Sequence, residues 1–252
     1  MSTDLLSIGM NFERWQDAVE AAIATEQLQV KGEVRGGQLV QFTDASGAQI
    51  NILAVEPFAT FAGFSSVSRA FADVTMLNDV LALCEISDAA GNEIAAVTAN
   101  LSQGPLLVDE GRLEFQPISF TALGMDIQLY SDAVSYENAT GGVLGMAFSE
   151  SAQLVDIGSG AKELNASLDF SAQVLEAEYR RNALTGCRFI HATVDGLFPF
   201  DVCIPDTISA ELPAPGSVIV GRAVLAANLL AYSGGGGCGG SCACGSGGCG
   251  GH

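Results

Sequence analysis

The chain has 252 residues, with 29 acidic and 10 basic side chains and a formal net charge of -19 at pH 7. A surface this acidic repels a phosphate backbone, so the composition excludes a typical nucleic-acid-binding protein. The first residues show no basic segment before an apolar one, and no run approaches eighteen uninterrupted apolar residues. We therefore expect a cytoplasmic protein with no membrane partner.

The first predicted elements are one helix and a β-meander. Phe12, Trp15 and Val19 recur at helical spacing, and Asn11 precedes them as a suitable N-cap. The apolar period then changes from helical spacing to two, and glycine-containing turns separate the next strands. The predicted meander strands are 28–34, 38–43 and 49–55.

A second strand pair and a boundary follow the meander. Strands at 80–87 and 93–100 flank an Asp-x-x-Gly turn, and the strand pattern stops in the polar run before residue 112. We therefore predict a first domain over 1–112, made of a helix and an antiparallel meander.

The second predicted domain, 113–232, is a β-rich barrel-like unit. Its expected elements are strands at 116–122 and 125–130, a helix from Ser131 to Asn138, strands at 166–179, 188–194 and 198–205, and one final strand. The fold class is thus mainly β (α+β), with an N-terminal helix, a meander and a C-terminal barrel-like unit before a flexible Gly/Cys tail.

The strands around His191 and Asp201 suggest a hairpin with a three-residue loop. A register that matches Ile190 with Val202 keeps one face apolar, and it places His191 directly across from Asp201 on a solvated surface. A catalytic role would need a nucleophile near His191. Cys187 is about 13 Å away along an extended strand, so it does not serve. We expect a non-catalytic body.

Residues 172–230 carry a resemblance. The run AQVLEAEYRRNALTGCRFIHATVDGLFPFDVCIPD, followed by PAPGSVIVGRAVLAANLL, resembles the C-terminal part of certain uncharacterised bacterial proteins. The resemblance implies a small OB-like barrel built from a long strand, an N-x-L-T-G turn, a hairpin and a closing strand. It implies no activity.

The last twenty residues, SGGGGCGGSCACGSGGCGGH, form a tail of different composition. The tail contains no charged Lys, Arg, Asp or Glu side chain and has almost nothing apolar to bury, so we predict that 233–252 is disordered. Its potential ligands are Cys238, Cys242, Cys244, Cys249 and His252. The other thiols, Cys84, Cys187 and Cys203, lie in strand-like runs and are expected to be structural.

Three interpretations of the tail stay open. Thiolates and an imidazole on a glycine-rich string can wrap one soft metal ion, zinc or Cu(I). Alternatively, the Gly/Ser/Cys texture resembles the core peptides of modified bacteriocin-like precursors, in which an enzyme makes azoles or thioethers and the folded body acts as leader. The third interpretation is a low-complexity tail without specific chemistry. The predicted function is a non-catalytic binding or scaffold protein with a metal-binding tail, and its partner is an unknown protein or a tail-modifying enzyme.

Overall fold

The computed structural model describes residues 3–209 and 211–231, and this part of the chain is mainly β, as predicted. The α-helices are α1 (Thr3–Ser7), α2 (Trp15–Ala24), α3 (Ala133–Thr140) and α4 (Glu150–Asp156). The strands are β1 (Gln29–Val34), β2 (Gly37–Thr43), β3 (Ala48–Leu53), β4 (Ala59–Phe64), β5 (Ala70–Met76), β6 (Leu81–Ser87), β7 (Glu93–Leu101), β8 (Leu113–Tyr130), β9 (Ala147–Phe148), β10 (Ser167–Arg181), β11 (Arg188–Asp195), β12 (Pro199–Pro205) and β13 (Val218–Leu229). None of these helices has the length and apolar character needed to cross a membrane.

The predicted N-terminal helix exists, but its start was placed wrongly. The N-cap of α2 is Arg14, which makes no side-chain capping bond, whereas the backbone N–H of Asn11 bonds to the carbonyl of Gly9 in a preceding turn. Arg14 instead pairs with Asp17 in the first helical turn. The negative charge of Asp17 also lies near the positive end of the helix dipole, which stabilises the start of the helix. The side-chain cap expected from Asn11 is absent.

The meander forms a four-stranded antiparallel sheet in the order β1-β2-β3-β4. Three of these strands were predicted within two residues of their observed bounds, because each alternates along its length and ends at a turn. One face, which carries Phe42, Ile50 and Phe64, packs on the N-terminal helices and on the outside of the second sheet. The meander therefore covers part of that sheet.

The second sheet consists of two five-stranded rings that share β8 and β13. The shared strands β8 and β13 pair with each other. One ring is completed by β5, β6 and β7, and the other by β10, β11 and β12. Each ring contains one parallel pair, β7 with β13 in the first and β12 with β8 in the second. The border expected near residue 112 comes just before β8, and the sheet continues across it.

A single apolar core runs through both rings. All strands of the second sheet except the two-residue β9 contribute buried residues to it, eight in all. Phe120, Phe170, Phe198 and Phe200 make edge-on or tilted ring contacts within it. Edge-to-face aromatic pairs add stability beyond the apolar area that they bury. The core thus joins the strands before and after residue 112.

The strands predicted at 116–122 and 125–130 are one continuous strand, β8. The pattern breaks at Gly124 because Met125 is an extra residue: Arg222 of β13 pairs with Asp126, and the next residue pairs with Gly124. A β-bulge of this kind kinks a strand without ending it. The helix that follows begins after Asp132, one residue later than predicted, and ends at Gly141 with φ +66°.

The N-x-L-T-G turn between β10 and β11 anchors the N-terminal segment. Asn182 is fully buried, and its side-chain amide donates to the carbonyl of Ile8 at 3.2 Å. The hydroxyl of Thr185 donates to the carbonyl of Gly9 at 2.6 Å. Asn182 also accepts from the N–H of Leu184 at 3.0 Å, so the turn conformation and the docking of the chain start are coupled.

Candidate functional site

The predicted metal ligands Cys238, Cys242, Cys244, Cys249 and His252 lie outside the described residues. Within residues 3–209 and 211–231, no group of three or more His, Cys, Asp or Glu side chains is placed to hold a metal ion. The described strand β13 ends at Leu229, three residues before Tyr232, so the string of tail donors follows directly on the closing strand of the body.

The described thiols of the rings are held inside the body. Cys84 and Cys203 are fully buried, and burial raises the pKa of Cys84 to about 12 and that of Cys203 well above its usual value. The negative charge of Asp201 acts on Cys203 in the same direction. Only thiolates bind soft metals or attack electrophiles, so these two residues have the structural role that the sequence predicted. Cys187 is partly exposed.

Among the buried acidic residues of the described chain, Asp201 accepts the most hydrogen bonds. It lies on β12 with no exposed surface and accepts the N–H of Val67 at 2.9 Å, the N–H of Ser68 at 3.2 Å and the hydroxyl of Ser68. The fourth contact of Asp201 is with His191, whose Nε2 lies 2.8 Å from Asp201 Oδ2. Val67 and Ser68 belong to the segment between β4 and β5. Asp201 therefore holds in place the segment that connects the meander to the rings.

These bonds decide the protonation state of Asp201. Burial by itself would raise its pKa, but hydrogen bonds from His191, Ser68 and the N–H of Val67 favour the carboxylate and outweigh burial. The pKa of Asp201 is consequently lowered, and the side chain is a carboxylate at neutral pH. A carboxylate only accepts, which places a proton on His191 Nε2.

The predicted contact between His191 and Asp201 is present. The predicted register of the two strands was wrong, and so was the prediction that the pair lies on a solvated surface. His191 pairs with Cys203, and Asp201 pairs with Thr193, so the ladder is shifted by two residues from the predicted one. An even shift keeps the same apolar face, which is why alternation could not separate the two registers. The pair is also buried, because Phe64 of the meander stacks on the His191 ring at 5.2 Å between centroids.

The cluster does not have the bonding order of a nucleophilic triad. In such a triad the histidine contacts the hydroxyl and the acid orients the histidine. Here both Ser68 and His191 bond to Asp201, so the acid stands between them. The second ring nitrogen of His191 is 3.6 Å from Glu178 Oε1, beyond hydrogen-bond distance, and Arg180 holds that carboxylate at 2.7 Å. The geometry is that of a structural clamp.

A polar cleft opens between the meander and the ring that contains β5, β6 and β7. Its volume is about 260 Å³, and eleven described residues line it. They come from β1, β2, β3 and the segment after β4 on one side, and from β8, the end of β13 and the segment after β7 on the other. None of the lining residues is acidic, and Lys31 is the single charged one among them. Eight of the other ten lining residues carry a side-chain amide or hydroxyl. We refer to it below as the polar cleft.

A row of hydrogen-bonded side chains forms the back of the polar cleft. Gln41 donates from Nε2 to Asn51 Oδ1 at 2.8 Å, and Asn51 Nδ2 donates to the hydroxyl of Ser102 at 3.3 Å. Gly63, which pairs with Gln49 in the β3–β4 ladder, makes this packing possible. A Cβ at that position would come within 2.9 Å of both Gln49 Oε1 and Asn51 Nδ2.

Sequence reasoning missed the polar cleft, although one signal for it exists. In the paired strands β2 and β3, Gln41 lies opposite Asn51, and both point to the face that also carries Leu39 and Leu53. Amides on the apolar side of a strand break the alternation of a half-buried sheet and require buried partners. The partner outside the meander is Ser102, which directly follows β7, and local patterns do not reveal that this segment packs against the meander.

Comparison with protein-family models, with curated proteins and with solved structures gives no match for this chain.

Proposed function

We propose that the protein is a non-catalytic binding or scaffold protein whose C-terminal tail binds one soft metal ion, zinc or Cu(I). The observation that carries the proposal is the donor string: four cysteines and one histidine fall within fifteen residues on a glycine-rich backbone. Cys238, Cys242, Cys244 and Cys249 supply the thiolates, and His252 is an alternate or completing ligand.

The body supports this assignment in two ways. Its buried thiols Cys84 and Cys203 are poor competitors, because a metal ligand must be deprotonated and burial raises their pKa values. All the acidic and basic residues precede the tail, so the whole charge of -19 belongs to the body and raises the local concentration of cations.

The test is metal stoichiometry under anaerobic conditions. Three proteins are loaded with Zn²⁺ or Cu(I) and desalted: the full chain, the chain truncated after Tyr232, and the full chain with the four tail cysteines replaced by serine. We expect one ion on the full chain only, released protons on binding, and the same melting temperature for the metal-free full and truncated chains. Equal, near-zero metal on all three proteins would refute the proposal.

The second candidate function is a precursor whose tail is enzymatically modified. Gly, Ser or Ala precedes each tail cysteine, a texture similar to that of azole- and thioether-forming peptides. In that case the folded body acts as the recognition domain for the modifying enzyme. The intact mass of the protein from its native host separates the two candidates, because azole formation lowers the mass by losing water and metal binding raises it.

A further inference from the structure

A second cleft lies between the strands β8, β13 and β10 on one side and α3 with the segment that follows it on the other. Its volume is about 380 Å³, which falls within the usual range of ligand pockets, ~300–1,000 Å³. We refer to it as the tyrosine cleft. The polar and aromatic side chains of its walls include Asp126, Gln128, Tyr130, Tyr136, Asp169 and Arg222.

The hydroxyl of Tyr136 is available to a ligand. Tyr136 is only 4% exposed, and its hydroxyl has no hydrogen-bond partner among the described residues. Unlike the sealed side-chain oxygens of Gln49, Ser119 and Thr121, this hydroxyl keeps accessible surface. It lies against Gly142, which lines the same cleft, and a Cβ at that position would clash with it. A deeply held phenol that opens to a cleft without a partner leaves one donor and one acceptor unused.

Two side chains of β8 carry further unused hydrogen-bonding groups. Asp126, Gln128 and Tyr130 lie on one face of the strand, because side chains two residues apart point the same way. Gln128 Oε1 accepts from the hydroxyl of Tyr130 at 2.9 Å, which leaves the two N–H groups of Gln128 Nε2 free. The Asp126 carboxylate makes no hydrogen bond or ion pair with any residue of the described chain. The strand thus offers two donors and a carboxylate to the cleft.

The cleft has one uncompensated negative charge. Arg222 of β13 lies between Asp126 of β8 and Asp169 of β10 in the strand ladders. Its Nε and Nη2 donate to the two carboxylate oxygens of Asp169 at 2.8 Å and 3.2 Å, so this ion pair is complete and Asp126 is left over. The chain as a whole carries a net charge of -19, and its field attracts cations to the cleft and repels anions.

We propose that the tyrosine cleft binds a small hydroxylated amine of about the size of an amino sugar. The ammonium group of the ligand pairs with the Asp126 carboxylate, and its hydroxyls exchange hydrogen bonds with the Tyr136 hydroxyl and the Gln128 amide. The rings of Tyr130 and Tyr136, 5.3 Å apart between centroids, favour a cationic ligand, because the face of an aromatic ring attracts an ammonium group. This site belongs to the body and does not depend on metal binding by the tail.

The test uses three probes that share a sugar ring and differ in charge: glucosamine, glucose and glucuronate. Each is titrated into the metal-free, reduced full chain at constant ionic strength and at about pH 6, where a primary amine is protonated. The readout is the heteronuclear NMR shift of the protein. We expect glucosamine to bind with a Kd of about 1 mM or tighter, glucose about tenfold more weakly, and glucuronate more weakly still. The shifts should cluster on β8, β13 and α3.

Variants make the test specific to the cleft. Asp126→Asn should remove the preference for glucosamine over glucose, whereas Asp195→Asn makes the same charge change at an exposed residue of β11 outside the cleft and should leave the preference unchanged. Tyr136→Phe should weaken the binding of both sugars about fivefold without lowering the melting temperature of the free protein, because it removes a hydroxyl that has no partner. If Tyr136 served the fold alone, this variant would leave binding unchanged.

Three results would overturn the proposal. The first is no shift in the cleft at glucosamine concentrations of about 100 mM, which would mean that water alone fills it. The second is equal affinity for glucosamine and glucose. The third is an equal effect of the Asp126 and Asp195 variants, which would assign any preference to the net charge of the body and not to the cleft.

Discussion

Replacing Asp201 by asparagine should destabilise the body strongly, and only where the carboxylate is charged. The carboxylate accepts four hydrogen bonds, from two backbone N–H groups, the hydroxyl of Ser68 and His191. One oxygen of an asparagine accepts at most two of them, and its NH₂ group then faces the remaining donors. Each buried donor left without an acceptor costs about 1–3 kcal/mol, so two of them predict a loss of about 2–6 kcal/mol in the free energy of unfolding.

The assay is urea unfolding of the wild type, Asp201→Asn and a matched control, Asp169→Asn. Asp169 pairs with Arg222 on the exposed side of β10, and an exposed pair contributes about 0–1 kcal/mol. The pH supplies a second arm. The pKa of Asp201 is lowered in the folded state, so its contribution is complete above the unfolded-state pKa and is lost as the pH falls through the folded-state value.

The gap in stability between wild type and Asp201→Asn should therefore be full at pH 7 and should narrow toward about pH 3, for as long as the folded state persists. Two outcomes would refute the reasoning. One is a cost for Asp201→Asn no greater than that for Asp169→Asn. The other is a gap that stays constant as the pH falls, since that would mean the lost interaction does not depend on the charge.

Two further predictions concern the rings. Gly221→Ala should destabilise the body by about 4 kcal/mol or more in urea unfolding, because its φ is +149° and a Cβ would lie 1.9 Å from the carbonyl oxygen of Asp126; wild-type stability of that variant would contradict the described bulge. In the full chain with the four tail cysteines replaced by serine, a thiol reagent should react quickly at Cys187 alone, and with Cys84 and Cys203 only after unfolding. Fast labelling of all three thiols in the native state would show that the rings open readily.

The elements that sequence patterns predicted well are those whose cause is local. The meander strands and the hairpin of β6 and β7 each combine alternation with a turn, and both signals lie within a few residues. The end of α3 is equally local, since Gly141 adopts the left-handed conformation that stops a helix. Such features do not depend on what the rest of the chain does.

The features that the sequence patterns did not predict depend on contacts between residues far apart in the chain. The register of β11 with β12 was missed because a shift by two residues leaves the apolar face unchanged. The burial of His191 follows from Phe64, more than a hundred residues earlier, which covers its ring. The polar cleft forms only because β3 and β8 lie close together. No pattern within either strand predicts that the two strands are neighbours.

The sharing of β8 and β13 by both rings has a consequence for the order in which the body can form. During synthesis the meander and the hairpin of β6 and β7 emerge early and can form from neighbouring residues. Neither ring can close until β13 is available, because β13 supplies one wall of each. Such long-range pairing is slow, since the chain must lose loop entropy before these contacts form.

The last strand, β13, is therefore required to close both rings of the body. A chain that stops before β13 would leave β7 and β10 each with an unpaired edge, and exposed edges of that kind are templates for aggregation. A chain that stops after Leu229 retains every described ladder. Both rings therefore close only in a chain that reaches Ala227, the last residue of β13 that pairs with β7.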